Sequence, residues 1–286
     1  MNAQAKRTAE ARAKPTYPGT VFAEFLSMFV RPNGNWAPVS AMVGLMGEIG
    51  FDEPGVRALI SRQKSRGWLV PEKRGPVRGY HLTETALSGL AESDKIVWHA
   101  RDEAPADDGW VLVTFSVPES VRAKRHVLRS RLVAIGFGTI GPGTLIAPAR
   151  MLGATQTVLW QHDLGEFVDV FVAQLPPGGD AAGIVRRGWD LTGLNDEYRD
   201  FVRVEKPIRA LWESRSTAAG ADLDAEAFCD YLLAFNRWRR LPLRDPGLPH
   251  GLIGSKWEGR AAGELFECLV DLLDVRAQRH VGSFWP

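Results

Sequence analysis

Between Asp52 and Leu82 the chain strings together a capped helix, a glycine stop and two apolar runs separated by a basic stretch rich in glycine and proline, and few folds accommodate that order. Asp52 offers a side-chain acceptor to the orphan amides of a helix whose first turn holds Glu53 and Pro54, both suited to a helix start. Val56, Leu59 and Ile60 stand at i, i+3 and i+4 and predict the buried stripe, which leaves Arg57, Ser61, Arg62 and Lys64 on the sides and outer face. Gly67 predicts the helix end. Trp68-Leu69-Val70 and Tyr80-His81-Leu82 read as short strands, and residues 71–79, with Lys73, Arg74 and Arg78, as the turn between them.

Two upstream stripes complete the pattern. Val21, Phe22, Phe25, Leu26 and Phe29 repeat as one helical face, and Val39, Met42, Val43, Met46 and Ile49 as another, closed by Gly50. Helices followed by a basic hairpin outline a winged helix-turn-helix. An amphipathic helix with a solvated cationic face reads similarly at first, but the charge is uneven along the chain. Residues 1–82 hold 12 Lys+Arg and 6 Asp+Glu, a net of +6; with +1 for the whole chain, residues 83–286 carry −5. Cations gathered on one motif point to phosphates, so the expected partner is double-stranded DNA.

At 286 residues, 45% hydrophobic and 24% charged, the chain exceeds what one core usually serves. The expected division is a disordered basic arm (1–18), a winged-helix domain (19–100), a linker (101–109), a middle domain (110–178) and a helical C-terminal domain (179–286). Cys229 and Cys268 are the only cysteines and have no CxxC or Cys/His ligand spacing, so no disulfide framework and no metal are expected. The start lacks an apolar leader core and no run of 18 apolar residues occurs, which points to the cytoplasm with no membrane partner.

The middle region reads β-α-β-β-α-β. Trp110–Phe115 is a strand and Pro118-Glu119-Ser120 opens a helix reaching Ile135. Phe137–Ile140 and Thr144–Ile146 flank a Gly-Pro-Gly turn, and Phe167–Val172 is a further strand. This is the ferredoxin-like order, so the fold class is α+β. Gly136 to Gly141 matches GxGxxG, but a helix precedes it and a strand follows, the reverse of a dinucleotide site. No GxxxxGK[ST], HExxH or GxSxG occurs, and the six histidines are scattered without ligand spacing.

Two further clusters stand out. Arg122, Arg125 and Arg129 form a row on the middle-domain helix, flanked by Lys124 and Arg131, with Val121, Leu128, Leu132 and Ile135 as the buried stripe. The row is either a wet face or a phosphate site. Near the C-terminus Tyr198, Phe201, Val202, Phe228, Tyr231, Leu232, Phe235 and Trp238 recur at helical spacing as core. An aromatic cavity here beside Arg237, Arg239, Arg240 and Arg244 would suit an apolar ligand carrying phosphates.

The three segments together resemble the phenylacetic-acid-degradation repressor (PaaX) family of bacterial regulators over nearly the whole length. The resemblance is carried by Arg57-Ala58-Leu59-Ile60-Ser61-Arg62, Gly67-Trp68-Leu69, Arg78-Gly79-Tyr80-His81-Leu82-Thr83, Gly136-Phe137-Gly138 and Gly143-Thr144-Leu145-Ile146-Ala147-Pro148. Its most specific parts are the run from Leu241 to Pro249 and Trp257-Glu258-Gly259-Arg260-Ala261-Ala262. It implies a homodimeric repressor that leaves its DNA operator when an acyl-CoA such as phenylacetyl-CoA binds; Arg237, Trp238, Arg239, Arg240 and Arg244, from the aromatic and basic cluster above, are the expected effector residues. Gly254-Ser255-Lys256 departs from the more apolar, proline-containing approach to the Trp257 motif that the family leads one to expect.

The middle domain also resembles the small ferredoxin-like subunit of the CRISPR integration machinery, whose nuclease activity is ascribed to an aspartate ending the first strand. Here that neighbourhood is Phe115-Ser116-Val117-Pro118, without a carboxylate to hold a metal. The expected role of this domain is dimerisation or coupling, without a catalytic residue. The alternatives are a nucleic-acid-processing enzyme built on the middle domain and an architectural DNA-binding protein without a ligand.

Overall fold

The computed structural model describes residues 18–99, 108–215 and 220–286. Most of the expected arm (1–17) and linker (101–107) lie outside the described residues. The chain divides into two compact units: Met1–Lys95 with Asp200–Arg239 and Ala261–Pro286, and Ile96–Arg199 with Arg240–Arg260. The stretch 179–286 therefore supplies helices to both.

The first unit begins with α1 (Pro18–Phe25), which continues as a π-helical stretch over Leu26–Val30. Then come β1 (Trp36–Pro38), α2 (Val39–Glu48), α3 (Glu53–Ser65), β2 (Leu69–Arg74), β3 (Val77–Leu82) and α4 (Glu84–His99). The predicted stripe Val21, Phe22, Phe25, Leu26 and Phe29 is wholly buried. The rings of Phe25 and Phe29 meet Phe228 of α9 (Ala221–Trp238) with centroids 6.4 and 5.2 Å apart. Burying such a side chain stabilises by roughly 1.5–3 kcal/mol, so α9 is part of this core. On α2 the buried face is Ala41, Met42, Leu45 and Met46, while Val39 and Val43 are half-buried. The helix is apolar on several sides, and there packing, not periodicity, selects the inner face.

The hairpin is longer than its sequence reads. Glycine and proline over residues 71–79 predict a loop, yet β2 runs to Arg74, β3 starts at Val77, and the turn is only Gly75-Pro76. The sheet order β1-β3-β2 explains this, because Pro71 sits on an edge strand where its missing N–H leaves no central ladder bond unmade. Gly75, at φ +56°, followed by proline suits a tight two-residue turn. β1, too short to announce itself by periodicity, pairs Trp36, Ala37 and Pro38 with His81, Tyr80 and Gly79. A Cβ on Gly79 would lie 2.5 Å from both Ala37 O and the Trp36 ring, so only glycine admits that indole over the sheet.

In the second unit β4 (Trp110–Phe115), β5 (Gly138–Gly141), β6 (Thr144–Pro148) and β7 (Val168–Ala173) pair antiparallel in the order β5-β6-β4-β7. The middle pair is displaced by a residue or two from the predicted Phe137–Ile140 and Thr144–Ile146, and a bulge lies between Thr139 and Gly141. Gly141 thus ends a strand rather than a phosphate loop. Helices α5 (Arg122–Ala134) and α6 (Leu152–Gln161) bury Leu128, Leu132 and Leu159 with Val111, Val113, Leu145 and Ala147 of one sheet face. Trp110 and Ile146, on the other face, pack with Val185 of α7 (Ala181–Gly188) and Leu248. Helix α8 (Leu191–Ser214), α10 (Arg240–Arg244), α11 (His250–Ile253) and α12 (Gly259–Gly282) complete the described chain. The architecture is α+β, as read from the sequence.

Candidate nucleic-acid interface

The presentation of α3 is fixed at both ends. Asp52 accepts from Gly55 N at 3.1 Å as the predicted cap. At the other end Gly67, at φ +72°, donates to Lys64 O and Trp68 donates to Gln63 O, both at 2.9 Å, which together close a Schellman motif. Thr83 then fastens this corner: its hydroxyl donates to Gly67 O at 2.6 Å and accepts from Ala86 N at 3.2 Å, so one side chain joins the end of α3 to the start of α4.

Val56, Leu59, Ile60 and Gln63 are buried, which sets the rotation of α3. Arg57 and Lys64 form one exposed row at i and i+7, and Arg62 and Arg66 a second at i and i+4. Between the rows lie Ala58, Ser61 and Ser65, all small and exposed. A narrow front with cations on both shoulders suits a phosphate-lined groove about 12 Å wide. Arg57 is held by Glu53 one turn earlier at 2.7 Å, whereas Arg62, Lys64 and Arg66 face no acidic partner among the described residues. Arg66, the C-cap of α3, lies beyond the periodic stretch, so the sequence pattern alone does not group it with the other cations.

On the hairpin, Lys73 and Arg78 stand directly opposite one another in the β2–β3 register, and both are exposed. Arg74 differs: its guanidinium pairs with Glu72 at 2.7 Å and lies 4.7 Å from the centre of the Trp36 ring, whose indole N–H donates to Glu72 O at 3.2 Å.

The five expected effector residues divide between the units. In the first, Arg237 pairs with fully buried Glu205, and Arg239 lies 3.5 Å from Glu24, itself 1% exposed. Trp238 is buried and stacks on Phe266 at 5.0 Å. Burial, which outweighs Arg237, holds the Glu205 carboxyl above its ordinary range. In the second unit Arg240 is exposed and Arg244 grips Glu197, with a contact of 2.6 Å. The same unit holds a cleft of about 410 Å³ lined by Leu191, Asn195, Arg199, Ile253, Lys256 and Trp257 among others. Asn195 shapes it by donating to Lys256 O at 3.0 Å and accepting from Glu258 N at 2.7 Å. The sequence marked this corner only through the departure at Gly254-Ser255-Lys256. Among the described residues no helix is long and apolar enough to cross a membrane.

These features define a winged-helix protein that also carries a ferredoxin-like sheet domain and a helical C-terminal region. Three family profiles match in the same order: "PaaX-like protein" over residues 20–86, "PaaX protein central Cas2-like domain" over 103–185 and "PaaX-like protein C-terminal domain" over 189–283. The chain belongs to the PaaX-like family. It is 29% identical over 232 residues to the transcriptional repressor PaaX of Escherichia coli (strain K12), covering 79% of this chain and 71% of that one. An uncharacterised protein from Mycobacterium tuberculosis has a similar fold, with a TM-score of 0.55 at 19% identity over 91% of this chain and 97% of its own.

Proposed function

We propose that this chain is a DNA-binding transcriptional regulator, a cytoplasmic homodimer that represses a catabolic operon until an aryl- or acyl-CoA thioester such as phenylacetyl-CoA releases it. The observation that carries DNA reading is the exposed front of α3, small in the middle and cationic on both shoulders, next to a hairpin that opposes Lys73 to Arg78. Like charges directly opposed on an antiparallel ladder are destabilising, and a phosphate between them reverses the sign. Ala58, Ser61 and Ser65 then let α3 approach base edges, where Arg57, Arg62, Lys64 and Arg66 reach bases and flanking phosphates. Lys73 and Arg78 serve the backbone, while Arg74, already engaged, stiffens the hairpin. The relative named as a transcriptional repressor supports the same reading.

Dimerisation is supported by the outer edge of β7, which exposes Phe171 and Val172 and pairs with no further strand among the described residues. For the effector, Arg237 and Arg239 are committed to buried carboxylates, and stripping a buried charge of its partner costs about 3–5 kcal/mol. The better support is the cleft of the second unit, within the roughly 300–1,000 Å³ typical of ligand sites, with Lys256 and Arg199 beside Trp257, Leu191 and Ile253. Arg240 and Arg244 lie in the same unit.

A mobility-shift titration on the duplex upstream of the chain's own gene tests the proposal. The wild type should bind against excess random duplex, and Arg62→Ala with Lys64→Ala should abolish that preference; equal affinity of both proteins for both duplexes overturns it. A thioester should release the DNA where coenzyme A and the free acid do not. A broad thioester panel without effect removes the effector from the reading.

A further inference from the structure

Helix α5 carries the most one-sided charge outside the winged helix, and DNA reading by α3 leaves it unused. Its 13 residues hold Arg122, Lys124, Arg125, His126, Arg129 and Arg131 and no aspartate or glutamate, although residues 83–286 carry net −5. Buried Leu128 and Leu132 fix its rotation, so Arg122, Arg125 and Arg129, at i, i+3 and i+7, share an exposed side. Lys124, on the other shoulder, is tied down by Asp163 O at 2.8 Å. Within the row, Arg125 donates to Val117 O at 2.6 Å, and Arg122 is 3.6 Å from Glu119 with side chains 80% and 73% exposed. Arg129 meets no acid among the described residues.

Like charges three and four residues apart destabilise a helix, and the cations of the first turn oppose its dipole. A purely solvated face gains nothing from this arrangement, whereas a polyanion reverses both effects. We infer that the row is a second contact for the phosphate backbone of duplex DNA, separate from the winged helix; this rests on the DNA-binding reading above. From Arg122 to Arg129 the helix rises about 10 Å, over which one DNA strand presents about three phosphates. The helix has no Trp, Tyr or Phe of the kind that anchors an interfacial membrane helix. Such a contact adds affinity and length to the footprint without reading sequence.

The test is Arg122→Gln with Arg129→Gln, leaving Arg125 because it also braces Val117. Affinity is measured against salt on the duplex upstream of the chain's own gene and on a random duplex of equal length. The log-log slope should flatten by about 1.8 on both, at about 0.9 per lost phosphate contact, with the ratio of the two affinities and the circular dichroism unchanged. An unchanged slope, in a wild type that binds DNA, overturns the α5 contact and leaves the winged-helix reading standing. Absence of salt-dependent binding by the wild type overturns both. Loss of binding to anionic phospholipid vesicles beside an unchanged DNA slope assigns the row to a membrane and overturns it as well.

Discussion

The Tyr198 hydroxyl donates to Asp245 Oδ2 at 2.7 Å, and this bond anchors the run from Leu241 to Pro249, the most specific part of the family resemblance. The other carboxylate oxygen of Asp245 accepts from Gly247 N at 2.8 Å, and Gly247 O accepts from Arg150 at 3.4 Å. Gly247 has φ +59°, and a Cβ there would lie 1.6 Å from an Arg150 nitrogen. The motif is thus a lock joining α8, the residues after β6 and the chain beyond α10, all within the second unit. Burial raises the Tyr198 phenol well above its ordinary value, with the Asp245 charge adding to the effect, so Tyr198 remains a donor. Burial also raises Asp245, against the lowering effect of its donors.

Tyr198→Phe should therefore destabilise the protein by about 1.5–3 kcal/mol, the usual worth of a hydrogen bond to a charged group. Urea unfolding measures it. A loss below about 0.5 kcal/mol would mean that Gly247 and Arg150 satisfy Asp245 without the phenol.

Glu205 predicts a pH dependence of defined sign. Burial raises its folded-state pKa despite Arg237, so the folded chain binds this proton more tightly than the unfolded chain. The resulting stability is full below the unfolded value of about 4.3 and is lost as pH rises through the folded one. Relative to Glu205→Gln, the wild type should become less stable over that window and then level off. A wild type that instead loses stability relative to Glu205→Gln as pH falls would mean that the ion pair outweighs burial.

How legible all this was depended on the range of the interaction. The cap at Asp52, the stop at Gly67 and the stripe Val56, Leu59 and Ile60 are local and were readable. The hairpin itself was readable but the length of its strands was not, because Pro71 and Gly79 are loop signals unless one knows that β2 is an edge and that Trp36 needs the space over Gly79. The arginines after Phe235 were read as a phosphate cluster. The partners of Arg237 and Arg239, Glu205 and Glu24, lie 32 and 215 positions away in sequence, and no periodicity reveals such a pairing. Arg57 had the same blind spot at shorter range, through Glu53.

That pairing separates the cations of α3. Arg62→Ala should weaken binding to the preferred duplex by about 1–3 kcal/mol, the range for a lost base contact. Arg57→Ala should cost less, because Arg57 must first leave Glu53. Glu53→Ala should tighten binding by releasing Arg57 and removing a charge that repels phosphate. A mobility shift with all three variants decides, and weaker binding by Glu53→Ala would show that the pair positions Arg57 for its contact.

Lys73 and Arg78 yield the sharpest expectation, because binding and folding pull in opposite directions. They are a direct cross-strand pair of like charge on an exposed ladder. Opposed charges of one sign destabilise a hairpin, and favourable cross-strand pairs are worth roughly 0.2–1 kcal/mol, so Lys73→Ala with Arg78→Ala should leave stability unchanged or raise it by a few tenths of a kcal/mol. The same change should flatten the salt dependence of DNA binding by about 1.8 in log-log slope, since each lost phosphate contact removes about 0.9. Sequence preference should hold, because backbone contacts position the protein without specifying bases. Thermal unfolding and a salt titration on two duplexes read these effects separately. A destabilised fold would make the pair structural, and a changed preferred sequence with an unaltered slope would make the hairpin a reader of bases.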